Sequence, residues 1–133
     1  MVASLQAETG FTPVLPWLIL LLPLVGAAVN GLAAFVAPER KGLPTVVGPA
    51  AIVGAFGVVL ANFAGMVAAP PEAAVVVSLW EWMPSGDLSV GVDLGFDQLS
   101  MLMMLIVTGV SSVIHVYSVG YMREDPGYAK YFS

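Results

Sequence analysis

Three long runs without a single charged residue decide what this chain can fold into. Thirty uncharged residues separate Glu8 from Glu39, thirty more separate Lys41 from Glu72, and twenty-five separate Asp97 from Arg123. A helix that crosses a bilayer needs ~20 mainly apolar residues, so each run is long enough. Peptide groups left unpaired in hydrocarbon are too costly to tolerate, which makes each run a helix. The expected fold is an all-α polytopic membrane protein with three transmembrane helices, at residues 14–37, 45–69 and 98–122. Around them lie an N-terminal segment (1–13), a short loop (38–44), a long loop (70–97) and a closing segment (123–133). Only 10% of the residues are charged, whereas soluble domains carry roughly 25%.

The first run is expected to be a retained helix, not a cleavable signal. Residues 1–11 hold no Lys or Arg and include Glu8, and the apolar stretch exceeds the ~7–15 residues of a signal core. Pro16 is expected in the first turn of the helix, where a missing N–H costs little. Pro23 is interior and should kink it, leaving the Ile19 carbonyl without its usual donor.

The basic residues give orientation. Arg40 and Lys41 fall in the loop after the first helix, and Arg123 and Lys130 follow the third. The long loop has none, only Glu72, Glu81, Asp87, Asp93 and Asp97. Basic residues prefer the cytoplasmic side, so the N-terminus and the acidic loop are expected outside. Within that loop, Leu88, Val90, Val92, Leu94 and Phe96 alternate with small or polar residues, the period of a half-buried strand. Val75 to Met83 is β-branched and aromatic, and Pro84-Ser85-Gly86-Asp87 is turn chemistry. An extracytoplasmic β-hairpin between the second and third helices is the expected result. Trp80 and Trp82, expected on one face, read as interfacial anchors or hairpin packing in preference to a ligand site.

Small residues recur at four-residue spacing, as Ala27 and Gly31, Ala50 and Gly54, Ala61 and Gly65, a pattern that lets helix backbones approach closely. Asn30 and Asn62 lie inside the helices, where a buried amide demands partners. In the third helix Met101, Met104, Thr108, Ser111, Ser112 and His115 share about a third of the circumference. His titrates near neutrality, so Thr108, Ser111, Ser112 and His115 are candidates for a stretch of proton path. The competing reading is a neutral histidine satisfied by packing, with hydroxyls bonded back to their own helix.

The composition excludes much else. Without cysteine there are no disulfides, no thiolate-held zinc and no iron–sulfur clusters. A net charge of −5 opposes nucleic-acid binding. No phosphate cradle, paired intramembrane carboxylates or metal-ligand cluster is evident, so no catalytic, cofactor or metal residue is assigned. With His115 the only side chain in the expected spans that titrates near neutrality, the chain is not expected to be a complete pump.

Phe96-Asp97-Gln98-Leu99-Ser100, Val107-Thr108-Gly109-Val110, Ile114-His115-Val116-Tyr117-Ser118 and Gly120-Tyr121-Met122 closely resemble one family, the antiporter-like L subunits of bacterial respiratory complex I. Ser78-Leu79-Trp80-Glu81-Trp82-Met83 and Asp125-Pro126-Gly127-Tyr128 are similar too. The resemblance implies the N-terminal part of a longer inner-membrane subunit that contributes to proton translocation coupled to quinone reduction. Further helices of the same subunit would follow the closing segment, carrying the family's main proton-handling Glu and Lys. It also implies other complex I membrane subunits as partners, with NADH, FMN, iron–sulfur clusters and quinone held by other subunits and none by this chain. Asp97 matches the family's Asp at the entry to the third helix, as a helix cap or a proton entry. The alternatives are the matching subunit of a multi-subunit cation/proton antiporter or membrane-bound hydrogenase, and a stand-alone three-helix scaffold.

Overall fold

The computed structural model describes residues 11–36, 42–85 and 88–132. Helix α1 runs Leu18–Val36, α2 Gly42–Ala68 and α3 Gln98–Tyr121. All three are long and apolar enough to cross a membrane. Strands β1 (Val75–Ser85) and β2 (Leu88–Phe96) form an antiparallel hairpin between α2 and α3, and a short α4 (Tyr128–Tyr131) follows α3. Arg40, Lys41, Glu8 and the turn residues Gly86 and Asp87 lie outside the described residues.

The first helix begins at Leu18, not at residue 14, and the cause is local. A residue before proline is disfavoured in the α region, and Leu15, which precedes Pro16, takes a left-handed conformation with φ 43°. Pro16 therefore stands ahead of the helix rather than in its first turn, in a turn closed by Leu18 N–H donating to the Leu15 carbonyl (3.0 Å). The second helix starts earlier than expected, at Gly42, because Pro44 sits in its first turn where no donor is needed. Pro23 and Pro49 are both interior, and each removes one helical hydrogen bond.

The side-chain distribution inverts that of a soluble domain. Phe35 is 91% exposed and Val113 70%, while Asn30 and Asn62 are fully buried. Lipid-facing apolar side chains cost nothing in hydrocarbon, but amides there require partners. Helix α2 packs against both α1 and α3. Of the small pairs noted in the sequence, Ala27, Ala50 and Ala61 are exposed, and the close approaches use other residues. A Cβ on Gly26 would meet the Ala51 Cβ at 2.6 Å, and one on Gly109 would meet the Phe56 ring at 3.2 Å. At Gly26 only glycine lets the helices touch, and at Gly109 a larger residue would require the Phe56 ring to give way.

One apolar cluster fastens the hairpin to the helix ends. Phe11, Ile19, Val59, Met66 and Met101 meet Val75 and Phe96 at the hairpin base, with Val77 and Leu94 packed alongside. Val75 pairs with Phe96 and Trp80 with Val92, and the register shifts between Ser78 and Trp80 and again between Glu81 and Met83. Such bulges add twist and bend the strand. Trp80 and Trp82 are both more than half exposed and clear of the cluster.

The backbone before α1 is hydrogen-bonded by a side chain of α2. Asn62 on α2 accepts from Val14 N–H (2.7 Å) and donates to both the Val14 carbonyl (3.0 Å) and the Val58 carbonyl (2.8 Å). The amide thus imitates a strand partner for non-helical backbone, and it also fixes the strained Leu15 in place. Replacing Asn62 with leucine keeps the bulk and removes these bonds, at ~1–3 kcal/mol for each buried group left unpaired. Hydrogen exchange at the Val14 amide in detergent micelles should then speed up about 10- to 100-fold. Unchanged protection would show that Asn62 does not hold this segment.

Candidate functional site

The interior face of α3 carries the polar residues singled out in the sequence. Met101, Ser112 and Ser118 are buried and Met104, Thr108, Ser111 and His115 half-buried, whereas Val113, Val116 and Tyr117 face outward. The four candidates Thr108, Ser111, Ser112 and His115 therefore share one inward stripe. The bonding along it is local. Thr108 Oγ1 donates to the Met104 carbonyl (2.6 Å) and Ser112 Oγ to the Thr108 carbonyl (2.7 Å). Each hydroxyl proton is thus committed to its own helix, while each oxygen keeps lone pairs that can accept.

His115 ends the stripe. Its Nδ1 lies 2.8 Å from the Ser111 carbonyl oxygen. A carbonyl can only accept, so Nδ1 carries the hydrogen and Nε2 keeps the lone pair in the neutral ring. The helix thereby fixes which nitrogen is basic, and a proton arriving at Nε2 leaves the Nδ1 bond intact.

Beside this ring is a cavity of about 210 Å³ lined by Pro23, Gly26, Gly48, Ile52, His115 and Phe132, among others. All three long helices contribute to its wall. Phe132 reaches it from beyond α4 and is only 4% exposed. Its ring centroid is 5.9 Å from that of His115, and its carbonyl accepts from Asn30 Nδ2 at 2.7 Å. Asn30 Oδ1 is buried without a hydrogen-bond partner. Nothing in the local sequence pattern announces Phe132 as part of this site. The helical spacing of Pro23, Gly26 and Asn30 on one face of α1 was the available signal that something approaches there.

Asp97 stands at the other end of α3 and plays a separate part. It is the N-cap, its carboxylate accepting from Ser100 N–H (2.7 Å) while Ser100 Oγ accepts from Asp97 N–H (2.9 Å). The reciprocal pair is a capping box, and it satisfies orphan donors at a helix end. The Ser100 hydroxyl first, and the Ser100 N–H second, hold the Asp97 carboxyl below the ordinary range. A cavity of about 370 Å³ separates this cap from Glu72 and the loop after α2. Among the described residues no three His, Asp or Glu side chains come together as metal ligands.

Comparison with known proteins gives consistent relatives. Residues 82–132 match the family model described as NADH-ubiquinone oxidoreductase (complex I), chain 5 N-terminus. The chain is 40% identical over 117 residues to NADH-quinone oxidoreductase subunit L of Mycobacterium tuberculosis (strain ATCC 25618 / H37Rv), a match covering 87% of this chain and 18% of that protein. The subunit L of Escherichia coli (strain K12) is 46% identical over 55 residues, 41% of this chain and 9% of that one. NADH-ubiquinone oxidoreductase chain 5 of Dictyostelium discoideum is 30% identical over 114 residues, 86% of this chain and 16% of that one. The chain thus spans under a fifth of the length of these relatives.

The capping geometry sets a pH dependence with a definite sign. A carboxylate whose folded pKa is depressed stabilises the fold above its unfolded value of about 3.9, and the contribution is lost as pH falls through the folded value. Exchange protection at Ser100 N–H should hold at neutral pH and decline only in acid below the ordinary carboxylate range. Asp97→Asn should keep the cap and abolish that dependence, and Asp97→Ala should lose protection at every pH. A Ser100 amide indifferent to Asp97→Ala would refute the cap.

Proposed function

We infer that this chain, which belongs with the antiporter-like subunits of complex I, contributes to proton translocation coupled to quinone reduction. The observation that carries the reading is His115. Its ring is tautomerically fixed by Ser111, keeps a basic Nε2, and lines a cavity shared by three apolar helices. An ionisable group in such a place faces water or a bundle interior, and it can take up and release a proton without unwinding its helix. Thr108 and Ser112 extend the polar face towards the hairpin end as acceptors for water. We assign His115 a protonatable role, Thr108, Ser111 and Ser112 a lining role, and Asp97 the cap.

The relatives are named as NADH-quinone and NADH-ubiquinone oxidoreductase proteins, which supports assigning NADH and quinone chemistry to other subunits of the assembly. With no cysteine in the sequence, this chain has no ligand set for an iron–sulfur cluster, and no redox step is routed through it. Its partners in this reading are other membrane subunits and further helices of the same subunit. The location is a bacterial inner membrane, with the hairpin outside. The sequence distribution of Arg40, Lys41, Arg123 and Lys130 supports that sidedness.

The test compares His115→Leu with the native subunit in the assembled, membrane-bound enzyme. Protons moved per quinone reduced should fall while the amount of assembled complex stays near normal. Normal pumping in a normally assembled variant would end the proposal. Loss of assembly with an unchanged ratio in what remains would reduce His115 to a packing residue.

A further inference from the structure

Phe132 occupies an unusual place for a residue that follows a transmembrane helix. Helix α3 ends at Tyr121, yet eleven residues later the chain is back against His115, six residues inside that helix. At 1.5 Å per residue this is about 9 Å below the helix end. The ring is buried against Gly48, where an added Cβ would stand 2.8 Å from Phe132 Cδ1. Glycine at position 48 is therefore what makes room for it. Two of the attachments are polar. Asn30 donates to the Phe132 carbonyl, and the neighbouring Tyr131 hydroxyl lies 2.9 Å from Ser118 Oγ.

We propose that Phe132 is a gate, an aromatic plug seated between Asn30, Gly48 and His115 that closes the cavity against the aqueous phase on the α4 side. This rests on the reading of His115 as a protonatable group, and it states what controls that group's access to water. With the ring in place, Phe132 forms one wall of the cavity beside the imidazole. Withdrawn, it would leave a space of at least 210 Å³ joined to the helix end. A water occupies about 30 Å³ in the liquid, so the cavity has room for a short water chain reaching Nε2. The Asn30 bond, the Tyr131–Ser118 bond and the His115 ring contact are among the interactions that hold Phe132 in this seat.

Aqueous access can be read without measuring pumping. A cysteine replacing Ile52, which lines the cavity, is placed in the full-length subunit of the assembled complex. A charged, membrane-impermeant methanethiosulfonate is applied from the α4 side of the membrane, and labelling of that subunit is followed. Reaction should be slow with Phe132 present and at least tenfold faster with Phe132→Ala. Gly48→Ala, which pushes the ring from its seat and leaves Phe132 itself unchanged, should accelerate it too. Phe132→Trp should not. Equal labelling rates in all four backgrounds would overturn the gate, whatever His115→Leu does to pumping. Gated labelling together with normal pumping in His115→Leu would keep the gate and refute the protonatable role.

Discussion

Backbone that is not helical needs hydrogen-bond partners wherever water is scarce, and two asparagine amides supply them in this fold. Asn62 on α2 binds both polar groups of Val14 near the hairpin end, and Asn30 on α1 binds the Phe132 carbonyl near the opposite end. Each amide is completely buried, and each reaches a segment outside the long helices. Much else follows from these two anchors. The Val14 clamp holds the turn that starts α1 and brings Phe11 into the apolar cluster under the hairpin. The Phe132 anchor brings an aromatic ring into contact with the imidazole of α3. Apolar contacts alone would not fix either segment, because lipid chains offer the same side chains an equally apolar environment.

The α3 helix works under a related constraint. Thr108, Ser112 and His115 bond to carbonyls one turn back, so these polar groups cross the apolar helix with their hydrogens engaged. The same arrangement leaves acceptor lone pairs on the inward face and fixes the basic nitrogen of His115. Local satisfaction and availability to a proton are compatible, because a hydrogen donated to the helix is distinct from a lone pair left free. At the far end Asp97 is engaged by Ser100, and its geometry is that of a helix cap.

The spans were legible because thirty-residue stretches without charge admit few alternatives, and β2 was legible because a period of two admits few others. The start of α1 was not. Apolarity continues from Val14 to Trp17, but the Leu15-Pro16 step disfavours the helix there, and hydropathy carries no record of that steric rule. The polar stripe of α3 followed from helical geometry, yet its hydrogen bonds to its own backbone could only be weighed against the alternative. Phe132 was illegible altogether, since its burial depends on a chain reversal and on Gly48 in a distant helix. Helical periodicity reports which face is inward, not which later segment arrives to cover it.

The central claim is that the helix sets His115 with Nδ1 protonated and Nε2 available. These 133 residues hold one histidine, and nitrogen-15 histidine labelling in lipid bilayers, with His115→Leu to assign the signal, reads its ring nitrogens by solid-state NMR. In the neutral ring the account predicts a protonated Nδ1 bonded to the Ser111 carbonyl and a bare Nε2 at the chemical shift of an acceptor nitrogen. A neutral ring with hydrogen on Nε2 and none on Nδ1 would contradict it, because the basic nitrogen would then face the backbone and not the cavity.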